Sequence, residues 1–77
     1  MINWRRAYNG LCRAGYTDDQ IASIAGVSRS VINGVRNGTY NHPHEPLYSG
    51  GVRILQAITD ALHLGYLTED PLVGEEE

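Results

Sequence analysis

Between Thr17 and Gly38 the chain reads TDDQIASIAGVSRSVINGVRNG, two short apolar-periodic stretches held apart only by Gly26, Val27 and Ser28. Thr17 and Gln20 have the spacing of a capping box, in which the threonine hydroxyl accepts from the third helical amide and the glutamine side chain reaches back. A helix therefore starts at Asp18, turns Ile21, Ala22, Ile24 and Ala25 inward, and ends at Gly26, which tolerates the left-handed backbone of a sharp turn. Ser28 is a good cap for the next helix, which runs to about Asn37 with Gly38 as its stop. Two helices joined so tightly cannot lie antiparallel, so they cross steeply and one face of the second stands clear.

That face is polar. At about 100° per residue, Val31, Ile32 and Val35 cluster on one side, and Arg29, Ser30, Asn33, Gly34 and Asn37 on the other, with Arg36 on the flank. Guanidinium, hydroxyl and carboxamide groups hydrogen-bond base edges and phosphates. No carboxylate lies within this helix.

The flanking segments complete an all-α reading of four helices with a short fifth. Asn3 caps a first helix to about Ala14, where Trp4, Ala7, Tyr8, Leu11 and Ala14 recur at helical spacing and Gly15 supplies a stop. Gly10 inside it costs about 1 kcal/mol relative to Ala. From Thr39 to about Ser49, two prolines and no helical period predict a loop. After Gly50 and Gly51, Val52, Leu55, Ile58 and Leu62 form the stripe of a last long helix, widened by Ile54, Ala61 and Leu64 and closed by Gly65. A short turn is expected around Thr68 to Pro71. Tyr66, Leu67, Leu72 and Val73 offer an apolar edge for a subunit contact.

Charge is unevenly placed along the 77 residues. Positions 1–67 hold all six arginines against Asp18, Asp19, Glu45 and Asp60, a net +2, whereas Glu69, Asp70, Glu75, Glu76 and Glu77 give positions 68–77 a net −5. The expected division is a folded domain over 1–67 and an acidic tail over 68–77. That tail reads either as a solvated end or as a competitor that weakens non-specific DNA binding. The absence of lysine favours the bidentate hydrogen bonding of arginine to phosphate or guanine.

Other chemistries find little support. Cys12 is the single cysteine, which excludes an internal disulfide and a multi-cysteine zinc site and suits a small packing residue. His42, His44 and Glu45 fall short of three or four convergent metal ligands, and His42 and His44 read as loop residues that touch phosphate or stay exposed. His63 suits a helix C-terminus, where positive charge is favoured. No nucleophile, acid–base pair or glycine-rich phosphate loop is recognisable, so neither catalysis, a cofactor nor a small-molecule substrate is expected. No apolar run reaches the roughly 20 residues that span a bilayer, and a cytoplasmic protein is expected.

Ala22, Gly26, Val27, Ile32, Val35 and the closing Arg36-Asn37-Gly38 together resemble the helix-turn-helix regulators of the phage repressor and Cro type. The segment VRILQAITDALHL is similar to the helix that follows the loop in those proteins, and the resemblance covers roughly Asn3 to Leu67, with the motif at about 17–38. It implies a non-enzymatic homodimer on pseudo-palindromic double-stranded DNA, in a bacterial or phage-infected cell. Carried over by position, Arg29, Ser30 and Asn33 are candidate base readers, joined by Ser28 and Gly34. Arg36 and Asn37 are candidate phosphate contacts, joined by Thr17, Tyr40 and Arg53.

Two features depart from the family pattern. Asp18 and Asp19 stand where the family often has glutamine or a basic residue, so that phosphate contact is either missing or made by Thr17 and backbone amides. Gly34 lies mid-helix, either for close approach to a base or sugar or as a tolerated defect. Arg5 and Arg6 touch phosphates or merely decorate the surface. Two further readings stay open: a helical protein-interaction module such as an antitoxin or adaptor, and a phage recombination accessory protein.

Overall fold

A computed structural model describes residues 2–73, and among them the chain is all-helical. The elements are α1 (Trp4–Arg13), α2 (Asp18–Ala25), α3 (Arg29–Asn37) and α4 (Tyr48–Leu64). Three of the four helices start on the predicted side-chain caps. The Asn3 side chain accepts from the Arg6 amide, and Ser28 Oγ accepts from the Val31 amide. Both bonds of the capping box are present: Thr17 Oγ1 accepts from the Gln20 amide at 3.1 Å, and the Thr17 amide donates to Gln20 Oε1 at 2.9 Å. Gly26 and Gly38 end α2 and α3 with φ of 75° each, in the left-handed region where a side chain is strained.

The core draws on every helix. Ala7, Tyr8 and Leu11 of α1 meet Ile21, Ala22 and Ala25 of α2, Ile32 of α3, and Ile54, Ala57, Ile58 and Ala61 of α4, with Leu67 beneath the C-terminal turn. Cys12 is half-buried against this cluster. Both α3 and α4 pack on α1 and α2 but not on each other. Among the described residues, therefore, no helix lies over the side of α3 away from Ile32.

The last helix departs from expectation in both its start and its facing. It begins at Tyr48, so the loop is shorter and both Gly50 and Gly51 lie buried within the helix. A Cβ on Gly50 would overlap the Ala25 carbonyl, and one on Gly51 would come within 3.1 Å of the Trp4 ring. These glycines are here because α4 passes against the end of α2 and against Trp4, closer than any side chain allows. With that approach set, Ile54, Ala57, Ile58 and Ala61 turn inward, while Val52 and Leu64 are exposed and Leu55 and Leu62 half-buried.

The C-terminal segment is also more integrated than expected. No fifth helix forms among the described residues, but Leu67 and Pro71 are buried and Leu72 packs against the core. The Pro71 ring fills the space where a Gly10 side chain would stand, so that glycine is a docking notch and not a defect. The Leu72 amide donates to Asp70 Oδ1 at 2.9 Å and holds the turn. Packing against the core thus continues to Leu72, and the glutamates at 75–77 lie outside the described residues. The proposed apolar edge is split, with Leu67 and Leu72 turned to the core and only Tyr66 and Val73 exposed.

The steric reading of Gly50 has a simple check. Alanine is the better helix former by about 1 kcal/mol, whereas forcing a methyl group into a closed contact costs about 1–3 kcal/mol. Gly50→Ala is expected to lower the urea unfolding midpoint despite its propensity gain, and an unchanged or raised midpoint would contradict the close approach.

Candidate nucleic-acid interface

The outward face of α3 presents Ser28, Arg29, Ser30, Asn33 and Asn37, all exposed. Arg29, Ser30 and Asn33 bound a shallow hollow on this surface. Asn33 and Asn37 are one helical turn apart, which lets the Asn37 amide donate to Asn33 Oδ1 at 3.2 Å. Asn33 in turn donates to Asp18 Oδ2 at 3.3 Å. Ser28 and Ser30 hydroxyls stand 3.2 Å apart beside the helix start. This is a row of short polar side chains pre-aligned by one another, with hydrogen-bonding capacity left towards solvent.

Two carboxylates border that row. Although α3 contains none, its crossing with α2 brings the first turn of α2 alongside. Asp19 Oδ1 lies 3.6 Å from Arg29 Nε, both side chains being exposed. Water screens such a pair, so it adds little to stability. It nevertheless lowers the positive potential on the outer face. Asp18 is different, because it is half-buried and its charge is matched inside the protein.

Its partner is Arg36, a candidate phosphate contact whose guanidinium is turned to acceptors within the protein. Arg36 NH1 donates to Asp18 Oδ1 at 2.8 Å, with only 21% of the arginine side chain and 15% of the aspartate side chain exposed. Its Nε donates to Asn9 Oδ1 at 3.1 Å. One guanidinium therefore ties α3 to both α1 and α2. The side chain points between helices, where the fork of donors meets two acceptors at once.

Gly34, a candidate base contact, is half-buried beside the returning loop. After Gly38 the chain doubles back across α3, and the amides of Thr39 and Tyr40 both donate to the Gly34 carbonyl. A Cβ on Gly34 would lie 3.3 Å from the Tyr40 Cβ. The missing side chain makes room for the loop, which neither earlier reading of Gly34 contained. Tyr40 itself packs there, with its ring edge-on to His42 and His44.

Two of the remaining phosphate candidates, Thr17 and Arg53, place their side chains at the ends of α2. Thr17 stays exposed while its hydroxyl accepts from Gln20, leaving its own proton to donate. Arg53 is well inside α4, and its Nε donates to the Ile24 carbonyl at 2.8 Å, closing the C-terminus of α2. Arg5 does the same for α3, with Nε on the Arg36 carbonyl at 3.1 Å and its guanidinium against Gly38. A cation at a helix C-terminus is favoured by the helix dipole. Both arginines keep further N–H donors on exposed guanidinium groups.

The loop over α1 is held by a contact that sequence reasoning missed. The Tyr8 hydroxyl lies 2.6 Å from His44 Nε2, with the ring centroids 5.4 Å apart. Burial pushes the Tyr8 phenol up to about 12, so it remains a donor, and burial lowers the pKa of His44, favouring the neutral acceptor. An apolar periodic position such as Tyr8 carries no signal for a polar partner 36 residues away.

Compared with family models, curated proteins and solved structures, the chain matches none of them. No helix among the described residues is long and apolar enough to cross a membrane.

Two measurements check this geometry. Because His44 has a lowered pKa in the folded state, the unfolded chain binds more protons below pH of about 6.5, and stability falls as pH drops through that value. The urea midpoint should therefore decline from pH 7 to pH 5, and His44→Gln should flatten part of that decline; an equal decline would refute the assignment. Arg36→Ala strands a half-buried carboxylate and should cost about 2 kcal/mol of unfolding free energy. A loss within about 0.5 kcal/mol, the scale of ordinary surface changes, would return Arg36 to the surface set.

Proposed function

We propose that this protein is a sequence-specific double-stranded DNA-binding regulator of the phage repressor and Cro type, acting in the cytoplasm as a homodimer without enzymatic activity. Its α2–turn–α3 unit is read as a helix-turn-helix, with α3 entering the major groove. The observation that carries this is the uncovered face of α3, where Arg29, Ser30, Asn33 and Asn37 stand exposed in one row on a helix braced from behind. Asparagine suits adenine N6 and N7, arginine suits guanine O6 and N7, and serine adapts to either. Ser28 lies at the same end, and Thr17, Asn37, Tyr40 and Arg53 are the candidate phosphate contacts, with Arg5 added by its place beside Gly38.

The dimer follows from the limits of one copy. A single subunit offers few arginines to phosphates, and Asp19 already offsets one of them. Affinity that rests on so few neutralised phosphates falls away at physiological salt, so two recognition helices, roughly 34 Å apart, are needed on a pseudo-palindromic site. The same acidic border favours a second reading, a helical module that binds protein. Salt separates the two, since contact with phosphate makes log affinity fall linearly with log salt, and a mainly apolar contact does not.

Selection of bound sequences from a random duplex pool is expected to return a two-fold symmetric site with half-sites one helical turn apart. Enrichment of no sequence would reject the DNA reading. On the selected site, Asn33→Ala and Arg29→Ala should each cost about 1–3 kcal/mol and relax the preference at one position. Asp19→Asn should act in the opposite direction, raising affinity for all duplexes alike; a sequence-dependent loss would instead make Asp19 a reader of cytosine.

A further inference from the structure

The start of α4 carries an apolar surface that folding leaves uncovered. Leu47 is 79% exposed and Tyr48 is 88% exposed, with Val52 exposed one turn further along. Together with Ile2, Trp4 and Leu55 they line a hollow of about 160 Å³. Among the described residues Glu45 is the single charged one on its rim. A cavity of about 150 Å³ is enough to hold a benzene ring.

We propose that a second copy of this chain docks on this face, the Tyr48 ring of each copy entering the hollow beside Trp4 of the other. Three observations select that occupant. Knob and hollow share one surface, Tyr48 forming part of the hollow's own wall, so a two-fold rotation brings each to the other, as an isologous interface requires. Charge disfavours nucleic acid here, because among the described residues the lining offers no cation and its one ionised group is the Glu45 carboxylate. The area is also of the right order. One exposed tyrosine contributes roughly 150–200 Å², and the whole patch on the order of 500 Å², so two copies bury about 1,000 Å², the lower limit for a specific contact.

An interface of that size forms reversibly. The need for two copies rests on the DNA-regulator reading, whereas the contact itself requires no DNA. It replaces the C-terminal edge, where Leu67 and Leu72 are committed to the core.

Sedimentation equilibrium of the full chain without DNA, from about 1 μM to about 1 mM, tests the contact. The average mass should rise with concentration from 8.5 kDa towards twice that value. Tyr48→Asp and Val52→Asp should remain at 8.5 kDa throughout, with helical circular dichroism unchanged. Tyr66→Asp, on a different surface beside Gly15 and Gln20, should associate as the unaltered chain does. A constant 8.5 kDa for the unaltered chain, or undiminished association of both aspartate variants, overturns the proposal. Arg29→Ala separates the two readings, since it should dimerise normally while losing DNA affinity. A protein that dimerises and binds no duplex refutes only the DNA reading.

Discussion

The bridge from Asp18 to Arg36 governs how α3 is presented. Only Ile32 of that helix is fully buried, and one apolar anchor leaves rotation about the helix axis loosely set. Polar ties supply the missing constraint. Arg36 reaches Asp18 and Asn9, Asn33 reaches Asp18, and Arg5 holds the Arg36 carbonyl. The Arg36 and Arg5 bonds face α1 and α2, and the Asn33 bond ties the exposed row of Arg29, Ser30, Asn33 and Asn37 to the edge of α2.

The same bridge resolves an electrostatic conflict. A free carboxylate at Asp18 would oppose an approaching phosphate, but Arg36 neutralises it inside the protein. Asp19 remains exposed beside Arg29. The outer face therefore offers hydrogen-bonding geometry more than raw positive charge. Such a surface favours discrimination among partners over simple adhesion, because a misplaced partner leaves polar groups unpaired.

Glycines set the other close distances. Gly50 admits the end of α2, Gly10 admits Pro71, and Gly34 admits the returning loop at Tyr40. In a small domain, whose core is limited by its surface-to-volume ratio, such approaches bring backbone and ring surfaces together without large side chains. They also explain why α4 begins without a side-chain cap. Its first turns are held by the neighbours of Gly50 and Gly51, and Leu47 ahead of them makes no capping bond.

What the residue order determined by itself was local. The Thr17–Gln20 box, the Asn3 and Ser28 caps, and the stops at Gly26 and Gly38 rest on bonds spanning a few residues, so spacing alone reveals them. The polar identity of the outer face of α3 was equally legible from helical periodicity. Tertiary structure decided which of those polar groups stay free. Arg36 and Asp18 are eighteen residues apart, and Tyr8 and His44 thirty-six, distances over which partners depend on how helices cross. It also decided that Gly50 and Gly51 continue a helix instead of preceding one, because a glycine reads as a breaker until the surface packed against it is known.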